Sequence, residues 1–364
     1  MFHIAAFIRT NAFANFKHAK IFYLKDLRTL FFLSKAIQST SKEKEANNRQ
    51  ANKILQKYDY LYEQIKKHLP MRIMILGANG FTGRRILQHL IHKQEHKLLA
   101  CSLHADIFPE EGYEFYELDI LDFKATDVLL EKFMPEVIIN ASALSVVDYC
   151  EQHQEEAFAL NVSAVRHIAE YCHAQNCRLI HLSTDFVFDG NKNTTYLETD
   201  LPNPVNYYGK TKQWSEEAIE QICDNYAIMR VEVVYGKPLE KQHGNIVHLV
   251  KNRLGNGQSI RVVSDQFRSP TWVEDIAIGT ELLLSSKHNG IYHICGGETM
   301  SIADIAYRTA AYFNLDSSLI DPVTTTEMNE KTPRPSFSPM NIEKAYTDLG
   351  YKPSTFEEGL KEWQ

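Results

Sequence analysis

MRIMILGANGFTGRRI, residues 71–86, is the stretch whose reading decides the fold. Arg72 to Leu76 is a short apolar run, and Gly77-Ala78-Asn79-Gly80-Phe81-Thr82-Gly83 follows at once. Ile86, Leu87, Leu90 and Ile91 then recur at helical spacing. The order is strand, glycine turn, helix. In such a unit Gly77 permits the tight turn off the strand. Gly80 lets backbone approach a pyrophosphate with no Cβ in the way, and Gly83 lets the helix pack close on the sheet. The helix start then offers free N–H groups and a partial positive charge to phosphates. The spacing is G-x-x-G-x-x-G, one residue wider than the common dinucleotide fingerprint, so the flanking strand and helix carry the reading. Gly77, Asn79, Gly80, Phe81 and Gly83 are the predicted cofactor cradle.

Outward from this unit, strand and helix patterns alternate. Strands are expected at 72–76, 97–102, 114–118, 136–140, 178–182 and 227–231, and helices at 83–93, 124–133, 151–175 and 209–223. Such alternation is what a doubly wound parallel sheet needs. Residues 71–231 form the predicted cofactor-binding core. Residues 232–364 are mainly a substrate lobe, with a last sheet strand near 291–294. The second strand ends in Cys101, Ser102, Leu103 and His104, with no acid until Asp106. An acid at that strand end holds the ribose 2′-hydroxyl of NAD. Its lack favours NADPH, with NADH also admitted, and puts Ser102 beside the ribose. Arg84 and Arg85 lie near the glycine turn, though neither is an obvious 2′-phosphate grip.

RLIHLSTDF, 178–186, reads as a buried strand that turns polar at its carboxyl end, where open α/β sheets bind ligands. Thr184 sits there. Tyr208-Gly209-Lys210-Thr211-Lys212 follows, after Pro204 and Asn206, and KTKQWSEEAIEQI looks helical. Tyr208 and Lys212, four apart, then share a helix face. A neighbouring ammonium favours the phenolate. Tyr208 is therefore the expected proton donor to a carbonyl oxygen while a cofactor exchanges hydride with the carbon. Thr184 would orient the same oxygen. A bare Tyr-x-x-x-Lys pattern carries little. Tyr62 and Lys66 form a second copy with no strand partner, and that copy reads as a solvated helix face.

Together these segments resemble the extended short-chain dehydrogenase/reductases, and within them the dTDP-4-dehydrorhamnose reductases. The resemblance runs from about residue 71 to the end, some four-fifths of the chain. It is carried by GANGFTG, LDILD at 118–122, PEVIINASA at 135–143, VVDYCE at 146–151, ALNVSAV at 159–165, STDFVFDG, NPVNYYGKTK, Arg230 with Tyr235-Gly236, DQFRSPTWVEDIA at 265–277 and RPSFSPMN at 334–341. It implies a Rossmann-type sheet with a small C-terminal lobe over a nucleotide sugar. It implies that Thr184, Tyr208 and Lys212 are the catalytic triad and that Lys212 also holds the nicotinamide ribose. Asp119 and Ile120 would lie near the adenine, and Asn140, Ala141, Ser142 and Ala143 along the cofactor. Two positions depart from the pattern: Phe186 stands where Tyr is usual, and Arg268 where Gly is usual. Arg268 would grip a phosphate or narrow the sugar pocket, or else form an ion pair at the surface or within the protein. Asp185 and Arg268 are the predicted substrate-side residues. Some relatives use Mg²⁺ at a dimer contact, but no residue set here demands it. A homodimer is compatible with the resemblance.

Three functions compete. The first is an NADPH-dependent reductase of a nucleotide-linked 4-keto-deoxysugar, with dTDP-4-dehydrorhamnose as the leading substrate. The second is a nucleotide-sugar epimerase or dehydratase. Dehydratases of the superfamily tend to carry a Glu beside the catalytic Thr, and Asp185 and Phe186 disfavour that. The third is a non-catalytic NADP-binding subunit like the regulatory β subunit of methionine adenosyltransferase, which resembles the same reductases.

The net charge of −7 gives no reason to expect nucleic-acid or membrane binding. Six scattered cysteines without a C-x-x-C read as thiols of a reducing, cytoplasmic compartment rather than zinc ligands or disulfides. Charge is uneven: residues 1–70 hold 13 Lys/Arg against 5 Asp/Glu, and the rest 26 against 41. Residues 1–70 contain no run long enough to span a bilayer. The first forty are basic, somewhat like an organellar presequence, and a polar helix is possible from about Lys42 to Leu69. Residues 1–70 are read either as the product of a start codon assigned too early, with Met71 the true beginning, or as an appended segment.

Overall fold

The computed structural model describes residues 70–240, 242 and 244–363. The expectations for 1–69, including the Tyr62 and Lys66 helix face, lie outside the described residues. From Pro70 to Gln364 the chain clusters as one compact unit. Its elements are β1 (Arg72–Leu76), α1 (Phe81–Lys93), β2 (Lys97–Ser102), β3 (Tyr113–Glu117), α2 (Phe123–Phe133), β4 (Val137–Asn140), α3 (Ala164–Gln175), β5 (Arg178–Thr184), α4 (Tyr207–Ile222), β6 (Tyr226–Val231), α5 (Val273–Ser285) and β7 (Gly290–His293). The seven strands make one sheet in the order β7-β6-β5-β4-β1-β2-β3, every pair parallel. The winding reverses between β1 and β4, and a crevice opens beyond the carboxyl ends of strands at such a switch point.

The apolar runs are continuous because both faces of the sheet are covered. Ile73 and Ile75 of β1 join Leu90 of α1 and Ile276 and Leu283 of α5 in one core. Met74 and Leu76, the alternate residues, join Leu129 of α2, Ile168 of α3 and Ile219 of α4 in the other. At the switch point the glycines act sterically. Gly77 has φ +79°, and a Cβ on it would stand 2.8 Å from the Ser142 nitrogen. A Cβ on Gly83 would stand 2.2 Å from the Gly77 oxygen, so α1 abuts the turn as the sequence suggests.

One predicted element differs. The helix expected over 151–175 is instead Val147–Gln152, Gln154–Phe158, a π-helical turn at Ala159–Ser163, and α3. His153 leaves helical geometry at φ −125°. The π turn carries the buried Asn161, whose amide donates to Leu144 O and to Thr211 Oγ1, both at 3.0 Å. Wide turns of this kind often sit at functional sites. Past β6, helices Ile246–Gly255 and Ile302–Tyr312 pack with the paired strands Ile260–Val263 and Ile320–Val323 around Val250, Leu254, Ile260 and Ala306. Among the described residues no helix is long and apolar enough to cross a membrane.

Candidate active site

A cavity of about 680 Å³ lies along the carboxyl ends of the central strands. Gly80, Phe81, Gly83, Ala141 and Ser142 form one side of it, and Thr184, Asp185, Tyr208 and Lys212 another. Ile260, Val262 and Gln266 close it from the C-terminal half. The first side suits a pyrophosphate. Gly80 is the N-cap of α1 and no side chain caps that end. The first-turn N–H groups and the helix dipole are thus left for an anion.

Of the other predicted cofactor residues, Asn79, Ser102, Asp119, Ile120 and Asn140 do not line the cavity. Asn79 clamps a loop: its amide donates to His104 O at 3.0 Å and Ala105 O at 2.9 Å. Ser102 is half-buried at the end of β2, Asp119 is exposed, and Ile120 is buried in the core. Asn140 is buried, and its Oδ1 accepts the Ser142 N–H at 3.0 Å. Arg84 is buried. Its guanidinium pairs with Asp106 and Glu110, each at 3.3 Å, and Tyr113 also donates to Asp106. The acid nearest the end of β2 is therefore engaged within the protein.

Thr184 ends β5, and Tyr208 lies in the first turn of α4. Asn206 fixes that turn. Its Oδ1 accepts the Gly209 N–H at 2.9 Å, an N-cap, and its amide donates to Pro333 O at 2.9 Å. Thr211 donates to Tyr208 O at 2.8 Å and is held in turn by Asn161. The Phe186 ring meets the Tyr208 ring edge-on at 5.8 Å. Thr184 donates to Asp185 Oδ1 at 3.1 Å.

The expected tuning of Tyr208 by Lys212 takes another form. Burial pushes the Tyr208 phenol up, and the neighbouring Thr184 hydroxyl opposes that shift. Lys212 Nζ points elsewhere, donating to Leu182 O at 2.6 Å and lying 3.0 Å from His181 Nε2. Burial lowers Lys212 to about 8, against the pull of Glu216. In this arrangement the phenol is held neutral, and the lysine answers to β5.

Arg268 also differs from the phosphate-gripping expectation. It borders the cavity, yet all three guanidinium nitrogens are used inside the wall. Nε lies 3.2 Å from Asp185, Nη1 donates to Phe267 O at 2.8 Å, and Nη2 to Pro335 O at 2.7 Å. Asp185 also accepts the Ser338 hydroxyl at 2.6 Å. Burial raises the Asp185 carboxyl, with Arg268 and Ser338 opposing. The ion-pair alternative is the one the geometry realises.

Sequence reading missed three groups. His181 is fully buried between Asn140 and Lys212, and its signal was a polar residue inside the apolar run RLIHL. Glu216 and Arg230 make a buried pair at 2.6 Å beneath Lys212. Arg261 and Arg334 line the outer cavity, and nothing in their spacing announced it. All six cysteines are buried free thiols. Among the described residues no cluster of three or more His, Cys, Asp or Glu is placed to hold a metal ion.

The family model of the RmlD substrate binding domain matches residues 71–364. dTDP-4-dehydrorhamnose reductase of Aggregatibacter actinomycetemcomitans is 30% identical over 301 residues, 80% of this chain and 97% of its own. Methionine adenosyltransferase 2 subunit beta of Xenopus laevis is 34% identical over 270 residues, 72% of this chain and 78% of its own. The crystal structure of dTDP-4-dehydrorhamnose reductase from Bacillus anthracis in complex with NADP superposes with a TM-score of 0.70 at 27% identity, covering 80% of this chain and 98% of that one. Over residues 71–364 the chain belongs to the family of the RmlD substrate-binding domain.

Proposed function

We propose that this protein is an NADPH-dependent reductase of a nucleotide-linked 4-keto-deoxysugar, with dTDP-4-dehydrorhamnose the first substrate to test. The observation behind this reading is that Thr184, Tyr208 and Lys212 border the same cavity as the glycine turn. A bound nicotinamide would supply hydride to the sugar carbonyl carbon. Tyr208, kept protonated by burial, gives its proton to the carbonyl oxygen. Thr184 fixes that oxygen by hydrogen bonding, and Lys212 meets the ribose. The Asp185–Arg268 pair braces the wall under the sugar. Arg261 and Arg334 line the same cavity and would turn to a diphosphate from their acids, Asp321 at 3.6 Å and Glu330 at 3.2 Å. Loss of reduced-nicotinamide absorbance on adding dTDP-4-dehydrorhamnose tests the reading. No oxidation with any dTDP-linked 4-keto sugar would discard it.

NADPH should bind more tightly than NADH, because Asp106 is tied to Arg84 and no other acid ends β2. Fluorescence titration of both cofactors checks this, and tighter NADH binding contradicts it. A second reading is supported by the 34% identity to a methionine adenosyltransferase β subunit. A protein that binds NADPH, turns over no keto sugar and alters methionine adenosyltransferase kinetics on mixing would be such a subunit.

A further inference from the structure

His181, in the middle of β5, faces a polar partner at each ring nitrogen. Asn140 lies 3.2 Å from Nδ1, and its amide orientation is set because its Oδ1 accepts the Ser142 N–H. The NH₂ group therefore faces the ring, and Nδ1 is the acceptor. A neutral imidazole then carries its hydrogen on Nε2. On that side lie Lys212 Nζ at 3.0 Å and Ser215 Oγ at 3.2 Å. Ser215 gives its own hydrogen to Lys212 O at 2.7 Å, so its oxygen is free to accept.

An ammonium has donors and no lone pair. Beside Nε2–H it would set donor against donor. An amine removes the conflict: it donates to Leu182 O and accepts from Nε2–H. An imidazolium would face the Asn140 NH₂ with a second donor, and burial holds His181 well below its usual range. The surrounding charges do not reverse this. Glu216 of α4 is one turn from Lys212, but Arg230 of β6 takes both its oxygens, at 3.0 and 2.6 Å, and Ser183 of β5 donates to it as well. β4 contributes only the neutral Asn140.

We propose that His181 is a positioning residue that favours the neutral amine of Lys212 over its ammonium, so that at alkaline pH Lys212 takes up a proton when an acceptor in the cleft engages it as an ammonium. Burial of Lys212 acts in the same direction. The second half rests on reading the cleft as an NADPH site; the first half does not.

Two measurements separate the halves. NMR of ¹⁵N-histidine protein, with His181 assigned by loss of its signals in His181→Gln or His181→Phe, should show the neutral Nε2–H tautomer at about pH 9, where Lys212 is the amine. An Nδ1–H tautomer or an imidazolium overturns the proposal, whether or not NADPH binds. Calorimetric titration with NADPH in buffers of different ionisation enthalpy should show proton uptake, near zero at about pH 6 and rising toward one per NADPH by about pH 9. His181→Gln offers Lys212 a carbonyl acceptor and should at least halve the uptake at the higher pH. His181→Phe, with no acceptor, should keep it. Equal uptake in wild type and His181→Gln overturns the proposal. Failure of NADPH to bind instead overturns the reading of the cleft, and the tautomer measurement decides the rest.

Discussion

Tyr208 and Lys212 share one face of α4 yet answer to different neighbours, and their variants should fail differently. Tyr208→Phe removes the proton donor and leaves the glycine turn untouched. Turnover should fall by about 10²–10⁴, the usual worth of a positioned general acid, with NADPH affinity nearly unchanged; near-full activity would move the proton source elsewhere. Arg268→Ala acts on folding first. It strips the partner from Asp185, a carboxylate only 2% exposed, and breaking a buried pair costs about 3–5 kcal/mol. Urea unfolding should show that loss, and an unchanged midpoint would mean Asp185 is already neutral. At this scale the residues that spacing can announce were legible: a Thr at a strand end, and a Tyr and Lys four apart on a helix. The partners were not. Asp185 meets Arg268, and Lys212 meets His181, only after distant strands come together, and no local pattern encodes those meetings.

At the scale of elements, α1 and α5 cover one face of the sheet and lock through side chains as well as through the core. His89 of α1 stands between two acids of α5, with Nδ1 2.7 Å from Glu274 and Nε2 2.7 Å from Glu281. Arg85 and Lys93 pair with the same acids. The bond to Glu274 is the largest cause raising His89, and burial opposes it. A raised histidine stabilises fully below its unfolded value of about 6.5, and that contribution fades as pH climbs through the folded value. Stability should therefore decline above neutral pH, and His89→Gln should flatten the decline. Urea midpoints across pH for both proteins check this; parallel curves would remove His89 from the account. The helices and strands themselves were readable because apolar runs such as RIMIL are buried on both faces. The break within 151–175 was not readable. The π turn is held by Asn161 bonding to Leu144 and Thr211, a tertiary demand that helical periodicity does not register. Two-residue strands such as Val234–Tyr235 and Thr271–Trp272 are too short to leave any pattern.

For the whole molecule, the described residues that line the cleft run from Gly80 to Arg334, within the unit of residues 70–364. Both faces of the seven-stranded sheet are packed by helices of that unit, and the C-terminal end closes back onto the cofactor half. Glu362 pairs with Arg85 of α1 and accepts the Trp272 indole N–H at 3.0 Å. Gln242 donates to the Asn79 and Gly80 carbonyls at 3.2 Å. The family match begins at residue 71, and the charge balance reverses at the same place. A chain starting at Met71 therefore keeps both cores, the glycine turn and the Thr184, Tyr208 and Lys212 wall. It should be soluble, unfold cooperatively and bind NADPH within about twofold of the full chain, since a twofold change is under about 0.5 kcal/mol. Truncation from the other end should behave oppositely. Removing the last few residues takes away Glu362 and Trp363, leaves Arg85 with Glu274 alone of these two acids, and should weaken cofactor binding along with stability. Calorimetry on the two truncated chains beside the full one decides the matter. Insolubility or lost NADPH binding in the chain from Met71 would assign residues 1–70 a part in the folded enzyme.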